Sequence, residues 1–563
     1  MLFRFLIRQL FFLKNSHEST KKDEEDKVSE EKKEEELKLT TNMLDNINKL
    51  ENILKNCTDL RMHQFSFGKD NAINAVIFYF DGMVNFQTSI DSILRPLKDW
   101  KGDFTLTQKS KNKKNTENIS KENLLNSIKN DAILSPDTKD TNTVSDLIEY
   151  LFVGDTVLLI NGLEIGFALG TQGWEKRPVE EPLSEVVVRG PREGFTESYK
   201  VNTSLLRRKI RNEKLKIEEI IVGRKTKTKI AIVYLEGVAD PTVLKKVRYR
   251  IGEIKVDSIL ESSYIEQYIE DAPFSIFPTI GYTEKPDVAA GKILEGRIAI
   301  IVDGSPIVLT IPYLFIESMQ SSEDYYNRWI YASMTRILRI VGYVVAVFAP
   351  AFYIALTTFH HELIPTKLLL TIANSRAGTP FPVFIEALIM IFAFELLREA
   401  GIRLPRAVGQ AITIVGALIM GDAAVNAGIV GATMVVVVAG TAVAGFMIPT
   451  QTEAISILRL LMIFLAAFTG FYGIAMGILL LLAHLASLNS FGVPYLDHIT
   501  SFKMQDIFMR PPHWAMQKRP EDIARGDMTR REFFIPPKRP ETEEEKEKVD
   551  KNQGKTKQQL EEE

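Results

Sequence analysis

Between Ile337 and Leu485 the chain is so poor in charge and so rich in aliphatic residues that this stretch constrains the fold more than any other feature. Ile337 to Thr358, ILRIVGYVVAVFAPAFYIALTT, carries one charge, Arg339. About 20 apolar residues suffice to cross a hydrocarbon core of roughly 30 Å, so this is a first span. Phe381 to Ala400 is a second candidate despite Glu386 and Glu395, and Leu458 to Leu485 is a long apolar run with Arg459 and His484 at its edges. Between them, Ala407 to Pro449 is crowded with Gly, Ala, Thr and Val, the small residues that let membrane helices approach closely.

The remainder of the 563 residues is dense in charge, and the reading is an α/β soluble region of two subdomains followed by an all-α multi-span membrane domain. Residues 1–43 form a charged leader, because Lys21 to Glu36 is almost entirely Lys, Glu and Asp and cannot bury apolar surface. Met1 to Lys14 is apolar but interrupted by Arg4 and Arg8 and lacks a small-residue cleavage site, which argues against a cleaved signal peptide. A surface-lying amphipathic helix and an extension without a role both stay open there. A first subdomain spans 44–145. It opens on Leu44, Ile47, Leu50, Ile53 and Leu54 at helical spacing and a buried strand Ala75 to Phe80, and includes a polar insertion at 101–143.

A second subdomain, 146–335, carries strand-like runs at Thr156 to Ile160, Glu185 to Arg189, Ile217 to Val222 and Lys229 to Tyr234, and helical stretches at Pro241 to Ile251 and Ser262 to Glu270. The Asp303-Gly304 pair between two apolar runs predicts a hairpin. No internal repeat of 20 to 50 residues is visible. The membrane domain covers 336–486, and 487–563 is a basic, then acidic, tail.

Lys and Arg placement sets orientation. Arg328, Arg336 and Arg339 precede the first span, Arg398, Arg403 and Arg406 follow the second, and Lys503, Arg510, Lys518, Arg519 and Arg525 lie in the tail. All three flanks read as cytoplasmic, which requires an even number of crossings. Four spans with a re-entrant piece at Gly421-Asp422 satisfy this; five would put the tail outside.

Glu386 and Glu395 are nine residues apart, hence on opposite faces of a helix at about 100° per residue. A carboxylate at the bilayer centre costs roughly 2.5 to 3.5 kcal/mol and marks an ion path by default. Glu395 and Glu399 lie near Arg398 and the inner boundary and read as a structural salt bridge or as snorkelling side chains; Glu386 stays a pore-lining candidate. Gly409, Thr413, Gly416 and Met420 recur every three or four residues, with Asp422 and Asn426 beyond. Such a stripe serves either close helix packing or a narrow lining in which Asp422 favours cations. In the soluble region Arg189, Arg192, Glu193, Glu197, Asn202, Arg207 and Arg208 are dense enough to form a buried salt-bridge junction or an anion site. The net charge of −3 gives no preference for nucleic acid, and a single cysteine, Cys57, excludes a disulfide framework. His360-His361-Glu362 lacks the second histidine of a zinc motif, position 365 being proline. No cofactor, metal or catalytic set follows, so the chain reads as a non-enzyme.

Three ordered stretches carry a family resemblance: RGPREGFTESYKVNTSLLRRKI at 189–210, PTIGYTEKPDVAAGKILEGRIAIIVDGSP at 278–306 and FPVFIEALIMIFAFELLREAGIRLPRAVGQAITIVGALIMGDAAVNAG at 381–428. Over about residues 44–515 the chain resembles the A subunit of bacterial spore germinant receptors. That resemblance implies a protein of the spore inner membrane working with a transporter-like B subunit and a lipoprotein C subunit. It also implies a role in starting germination and self-association into an ion channel. A non-conducting scaffold is the alternative, with a secondary transporter behind it.

Overall fold

The computed structural model describes residues 38–68, 71–100, 137–173, 187–404, 419–496, 509–516, 518–520 and 523–530, together with Pro182, Glu185 and Gly416. Most of the leader, insertion residues 101–136, Arg406, Gly409, Thr413, Lys503 and the acidic end lie outside the described residues.

Two five-stranded antiparallel sheets form the soluble region. The first unit runs α1 (Met43–Ile53), β1 (Leu60–Phe67), β2 (Ile73–Phe80), β3 (Thr138–Thr141), α2 (Val144–Val153), β4 (Thr156–Ile160) and β5 (Gly166–Leu169), with strand order β1-β2-β4-β5-β3. The second runs α3 (Tyr199–Lys209), β6 (Leu215–Val222), β7 (Thr228–Leu235), α4 (Pro241–Glu253), α5 (Ser262–Ile269), β8 (Gly281–Thr283), α6 (Pro286–Leu294), β9 (Ile298–Val302) and β10 (Val308–Ile311), with order β6-β7-β9-β10-β8. The helical stretches at 241–251 and 262–270, the strands at 217–222 and 229–234, and the hairpin turning at Asp303-Gly304 agree with the sequence reading.

Three expectations are corrected. The strand Thr156–Ile160, assigned to the second subdomain, pairs with β2, so the first unit extends through β5. The end of the presumed insertion is the strand β3, edge partner of β5. No strand forms at Val187–Arg189; that loop instead packs on the helical turn Glu323–Tyr326, where the Val188 amide donates to Glu323 Oε1 at 2.5 Å.

The two sheets share one strand order, and the likeness reaches individual bonds. In the first unit Thr40 N donates to Asn46 Oδ1 (2.9 Å), Met43 N to Asn161 Oδ1 (3.4 Å) and Gly162 N to Thr41 O (2.9 Å). In the second Thr196 N donates to Asn202 Oδ1 (2.8 Å), Tyr199 N to Asp303 Oδ1 (3.1 Å) and Gly304 N to Glu197 O (2.8 Å). In each unit a buried asparagine braces the chain ahead of the first helix, and an Asn/Asp-Gly hairpin turn caps that helix's exposed amide. The soluble region is a structural duplication with a period far longer than a short-repeat search detects.

The helical half comprises α7 (Trp329–Thr358), α8 (Thr366–Arg376), α9 (Val383–Arg403), a helical stretch at 419–426, α10 (Ala432–Gly445), α11 (Thr452–Thr469) and α12 (Phe471–Ser487). Trp329–Thr358 and Pro449–Thr469 are long and apolar enough to cross a membrane; Ala432–Gly445 and Phe471–Ser487 are shorter apolar helices. Leu458 to Leu485 is therefore not one span, as expected, but two helices broken at Gly470 (φ +63°, ψ −137°), a conformation reserved for glycine. They fold back on each other: a Cβ on Gly473 would meet the Leu465 carbonyl oxygen at 2.3 Å, and one on Gly477 would meet Met462 Sδ at 2.7 Å.

After α12 the chain returns to the second unit. A small hairpin, β11 (Asn489–Ser490) with β12 (Val493–Pro494), buries Phe491 in the core formed by β7, β9 and α4, under the Arg250 guanidinium at 4.5 Å. Further on, Ala524 is buried and bridges to Ala239. The residues beyond the helices thus lie on the same side as the soluble region.

Candidate functional site

The two soluble units meet on an arginine. Arg207 on α3 is fully buried and grips Asp59 of the first unit through Nε (2.8 Å) and Nη2 (2.9 Å), while Nη1 donates to Leu215 O. Its guanidinium also lies 4.7 Å from the Phe80 ring centroid and 5.7 Å from Phe152. Bidentate pairing plus ring stacking suits Arg and not Lys. Of the other residues named for this junction, Asn202 is buried as the brace described above, and Glu193 forms half-exposed pairs with Lys209 (3.1 Å) and Arg208 (3.8 Å). Arg189, Arg192 and Glu197 are exposed, so they are not part of the buried contact.

The second unit holds the bundle at three helix ends. At the start of α7, Asp324 (1% exposed) receives Arg339 through both carboxylate oxygens at 2.7 Å and Arg336 Nε at 3.2 Å. These two arginines, read from sequence as membrane-flanking charges, are spent on an internal acid. Ahead of α11, Thr450 Oγ1 donates to Ser318 O at 3.4 Å. At the end of α12, Ser275 Oγ and His484 Nε2 are 3.0 Å apart. Phe277, Tyr313 and Met319 continue the bundle's own core into the soluble unit. Facing the first turn of α11 is Glu266 on α5. Burial, and then the carboxylates of Glu270, Glu261 and Glu453, push it up to about 7.

Inside the bundle, the candidate acids separate. Glu386 is fully buried and accepts from Arg376 Nε (3.2 Å), Thr379 Oγ1 (3.2 Å) and the Gly431 amide ahead of α10 (2.9 Å). A guanidinium and the electropositive start of a helix satisfy it within the chain. Glu386, a pore-lining candidate from the sequence, is thus buried among partners of its own chain. Glu395 pairs with Arg398 (2.5 Å), the salt bridge read from sequence, and Glu399 with Arg403 (2.5 Å). Gly416 packs on Leu397 of α9: a Cβ there would meet its Cδ2 at 2.9 Å. Met420, Asp422 and Asn426 are exposed, and Asn426 Nδ2 donates to Asp422 Oδ2 at 3.0 Å.

The Asp324 clamp and Asp59, the partner of Arg207, were not singled out from sequence. Asp59 and Arg207 are 148 residues apart, and neither acid sits in a motif.

The model of the family described as Bacillus/Clostridium GerA spore germination protein matches residues 48–522. The chain is 42% identical over 497 residues to spore germination protein KA of Bacillus subtilis, covering 87% of this chain and 88% of that protein. It is 42% identical to the uncharacterized membrane protein YfkQ of the same organism (87% and 93% covered) and 36% identical to its spore germination protein B1 (86% and 98%). Among solved structures, the N-terminal domain of the A subunit of the Bacillus megaterium spore germinant receptor GerK3 matches at 32% identity, covering 49% of this chain and 97% of that one, with a TM-score of 0.36. The span of the family match and the identity maintained along nearly whole relatives establish that this chain belongs to the GerA family of spore germination proteins.

Proposed function

We propose that this chain is the membrane-embedded A subunit of a nutrient-sensing germinant receptor of the spore inner membrane, and that copies of it associate so that their helices enclose a cation path. In this reading the soluble units are cytoplasmic, and a transporter-like B subunit and a lipoprotein C subunit are its partners.

Lipid as the solvent of the bundle is supported by its outward side chains. Ile337, Leu338, Val341 and Val344 on α7, Leu461, Phe464 and Phe468 on α11, and Leu479, Leu480 and Leu482 on α12 are exposed, and large exposed apolar side chains in such number mark a surface that lipid or another chain covers. An even number of passages, as the charge placement requires, fits the geometry. Arg336 at the start of α7 and Thr450 ahead of α11 bond the soluble unit, whereas the far end of α7 (Phe359, His360) meets Gly470, the tip of the α11–α12 hairpin. The early turns of α9 and α10 meet at Glu386 and Gly431, and their later turns reach Arg459 of α11. Arg403 ends α9 on the side of the soluble unit, whereas Gly428, ahead of α10, lies against Gly378 on the far side. An even count leaves the tail beside the soluble region, where it docks.

The observation that carries the channel reading is the Asp422–Asn426 pair, polar and exposed on a helix of an otherwise apolar bundle. Facing lipid, such a carboxylate costs roughly 2.5 to 3.5 kcal/mol; facing the same helix of neighbouring copies, it would ring an aqueous path that favours cations. Replacing both (Asp422→Leu with Asn426→Leu) in liposomes that also hold the partner subunits should cut cation flux by about tenfold or more, the scale of a ~1.4 kcal/mol barrier change, at unchanged incorporation. Undiminished flux would reject this lining. Absence of flux from the parent chain with its partners would favour a non-conducting scaffold.

A further inference from the structure

A cavity of about 20 Å³ lies between α9, α10 and α11, lined by Arg398, Gly445, Phe446, Thr452, Ser456 and Arg459 among others. Its walls carry more positive than negative charge. Arg459 is 3% exposed; its Nε donates to Ala346 O at 2.8 Å, but Nη1 is 3.9 Å from Glu395 Oε1, beyond hydrogen-bond range, and among the described residues neither Nη makes a hydrogen bond. Glu395 is already taken by Arg398 (2.5 Å) and by the Ser456 hydroxyl (3.0 Å). Two guanidiniums therefore share one carboxylate in an apolar bundle, and a buried cation without a full partner is costly. The remaining nearby acid, Glu453, is exposed and interacts with Glu266 on the soluble unit.

Position narrows the ligand. The cavity sits at the last turns of α9, the end of α10 and the first turn of α11, all on the side of the soluble units. Thr452 opens an 18-residue helix whose dipole favours an anion, its own amide being bonded to Pro449 O. One wall is Phe446, 58% exposed, tilted against Phe394 at 6.1 Å between ring centroids, and the Arg398 side chain is 27% exposed. In the membrane reading this end of the bundle, on the side of the soluble units, would lie near the headgroups, and a volume of about 20 Å³ has room for one oxygen-sized atom. Arginine forks and helix N-termini both recognise phosphate oxygens.

We infer that this cavity is a phosphate site that seats an oxygen of a phosphate group between Arg459, Arg398 and the start of α11, tying the inner ends of α9, α10 and α11 together. The inference rests on the membrane reading above, and its test keeps the two apart. Purified full chain in neutral detergent is melted in the presence of dioleoyl phosphatidylglycerol, of dioleoylglycerol, which lacks the phosphate, or of inorganic phosphate, and flotation with liposomes is scored in parallel. Phosphatidylglycerol should raise the melting midpoint and dioleoylglycerol should not. Arg459→Gln should need about tenfold more lipid for the same shift, the loss of one charge-assisted hydrogen bond. Gly445→Ala guards against misfolding: its Cβ would lie 3.5 Å from Arg459 Nη2, an ordinary contact, and fills the cavity without strain. It should weaken the lipid effect likewise. An equal shift from inorganic phosphate identifies free phosphate as the source. No shift from either phosphate compound, or equal shifts in the parent and both variants, overturns the site. Flotation of parent and variants alike leaves the membrane reading standing in every case; failure to float removes that reading instead.

Discussion

Glu266 shows how a single side chain can report on the contact between soluble unit and bundle. It sits where α5 faces Glu453 at the start of α11, and burial together with Glu270, Glu261 and Glu453 lifts its carboxyl to about 7 from an ordinary 4.5. A carboxyl whose folded-state value is raised stabilises the fold most below its unfolded value, and that contribution disappears as pH climbs through the folded value. Between about pH 5 and 8 the melting midpoint of the full chain should fall, and Glu266→Gln should flatten the part of that slope due to this group. Parallel curves for the two proteins would show that the repulsion is relieved some other way. At this scale the sequence was legible where chemistry is dense and local. Arg207 and Asn202 were picked out by the crowding of RGPREGF and LLRRK, and both are buried. Asp59 and Asp324 were not, because an isolated aspartate looks the same whether it is solvated or receives two cations across the fold.

Helix lengths were harder to read than helix positions. Leu458 to Leu485 is uniformly apolar, and composition alone cannot separate one long span from two shorter ones. The difference lies in three glycines. Gly470 takes a backbone conformation closed to other residues, Gly473 lets the Leu465 carbonyl come within reach, and Gly477 admits Met462. Glycine is common in membrane helices as a packing residue, so its use here as a turn carries no separate signal. Gly473→Leu would drive a side chain into the Leu465 carbonyl, backbone that cannot step aside, and should prevent the α11–α12 hairpin from closing. Cysteines introduced at Met462 and Gly477 should crosslink readily in an otherwise parent background and lose that crosslink when Gly473→Leu is added; retained crosslinking would mean that the two helices are held together elsewhere. Strand assignment failed for a related reason. Thr156 to Ile160 and Lys229 to Tyr234 have the same apolar texture, and only the register of β4 on β2 tells which sheet owns the former. The duplication of the two units stayed hidden because it survives as strand order and a few capping bonds, while the residues at matched positions differ: Asn161 stands where Asp303 does, and Thr41 where Glu197 does.

Across the whole molecule, the described contacts divide the work unequally between the two soluble units. The first unit is fastened to the second through Arg207–Asp59, through the Cys57–Ile217 bridge and through Lys216 Nζ to Ile53 O at 3.0 Å. Among the described residues the second holds the bundle, at one end each of α7, α11 and α12, and the chain beyond α12 is buried back in its core at Phe491 and Ala524. Among the described contacts the first unit reaches the helices through the second, and of the three contacts only that on α7 is built from charges. Asp324 is its centre: two arginines converge on a carboxylate that is 1% exposed, and breaking such a pair from one side costs about 3 to 5 kcal/mol. The contacts at α11 and α12 are single hydrogen bonds and ring packing, each worth far less. Asp324→Asn should consequently leave the bundle assembled, since its core is apolar, but loosen its charged attachment to the soluble unit, with which that core is continuous at Phe277, Tyr313 and Met319. In spores carrying this variant, nutrient-triggered cation release should be slowed or lost at normal protein level, while Arg339→Lys, which keeps the charge and gives up one of the two paired bonds, should fall between the variant and the parent. Parent-like release from Asp324→Asn would shift the burden of coupling to the weaker α11 and α12 contacts.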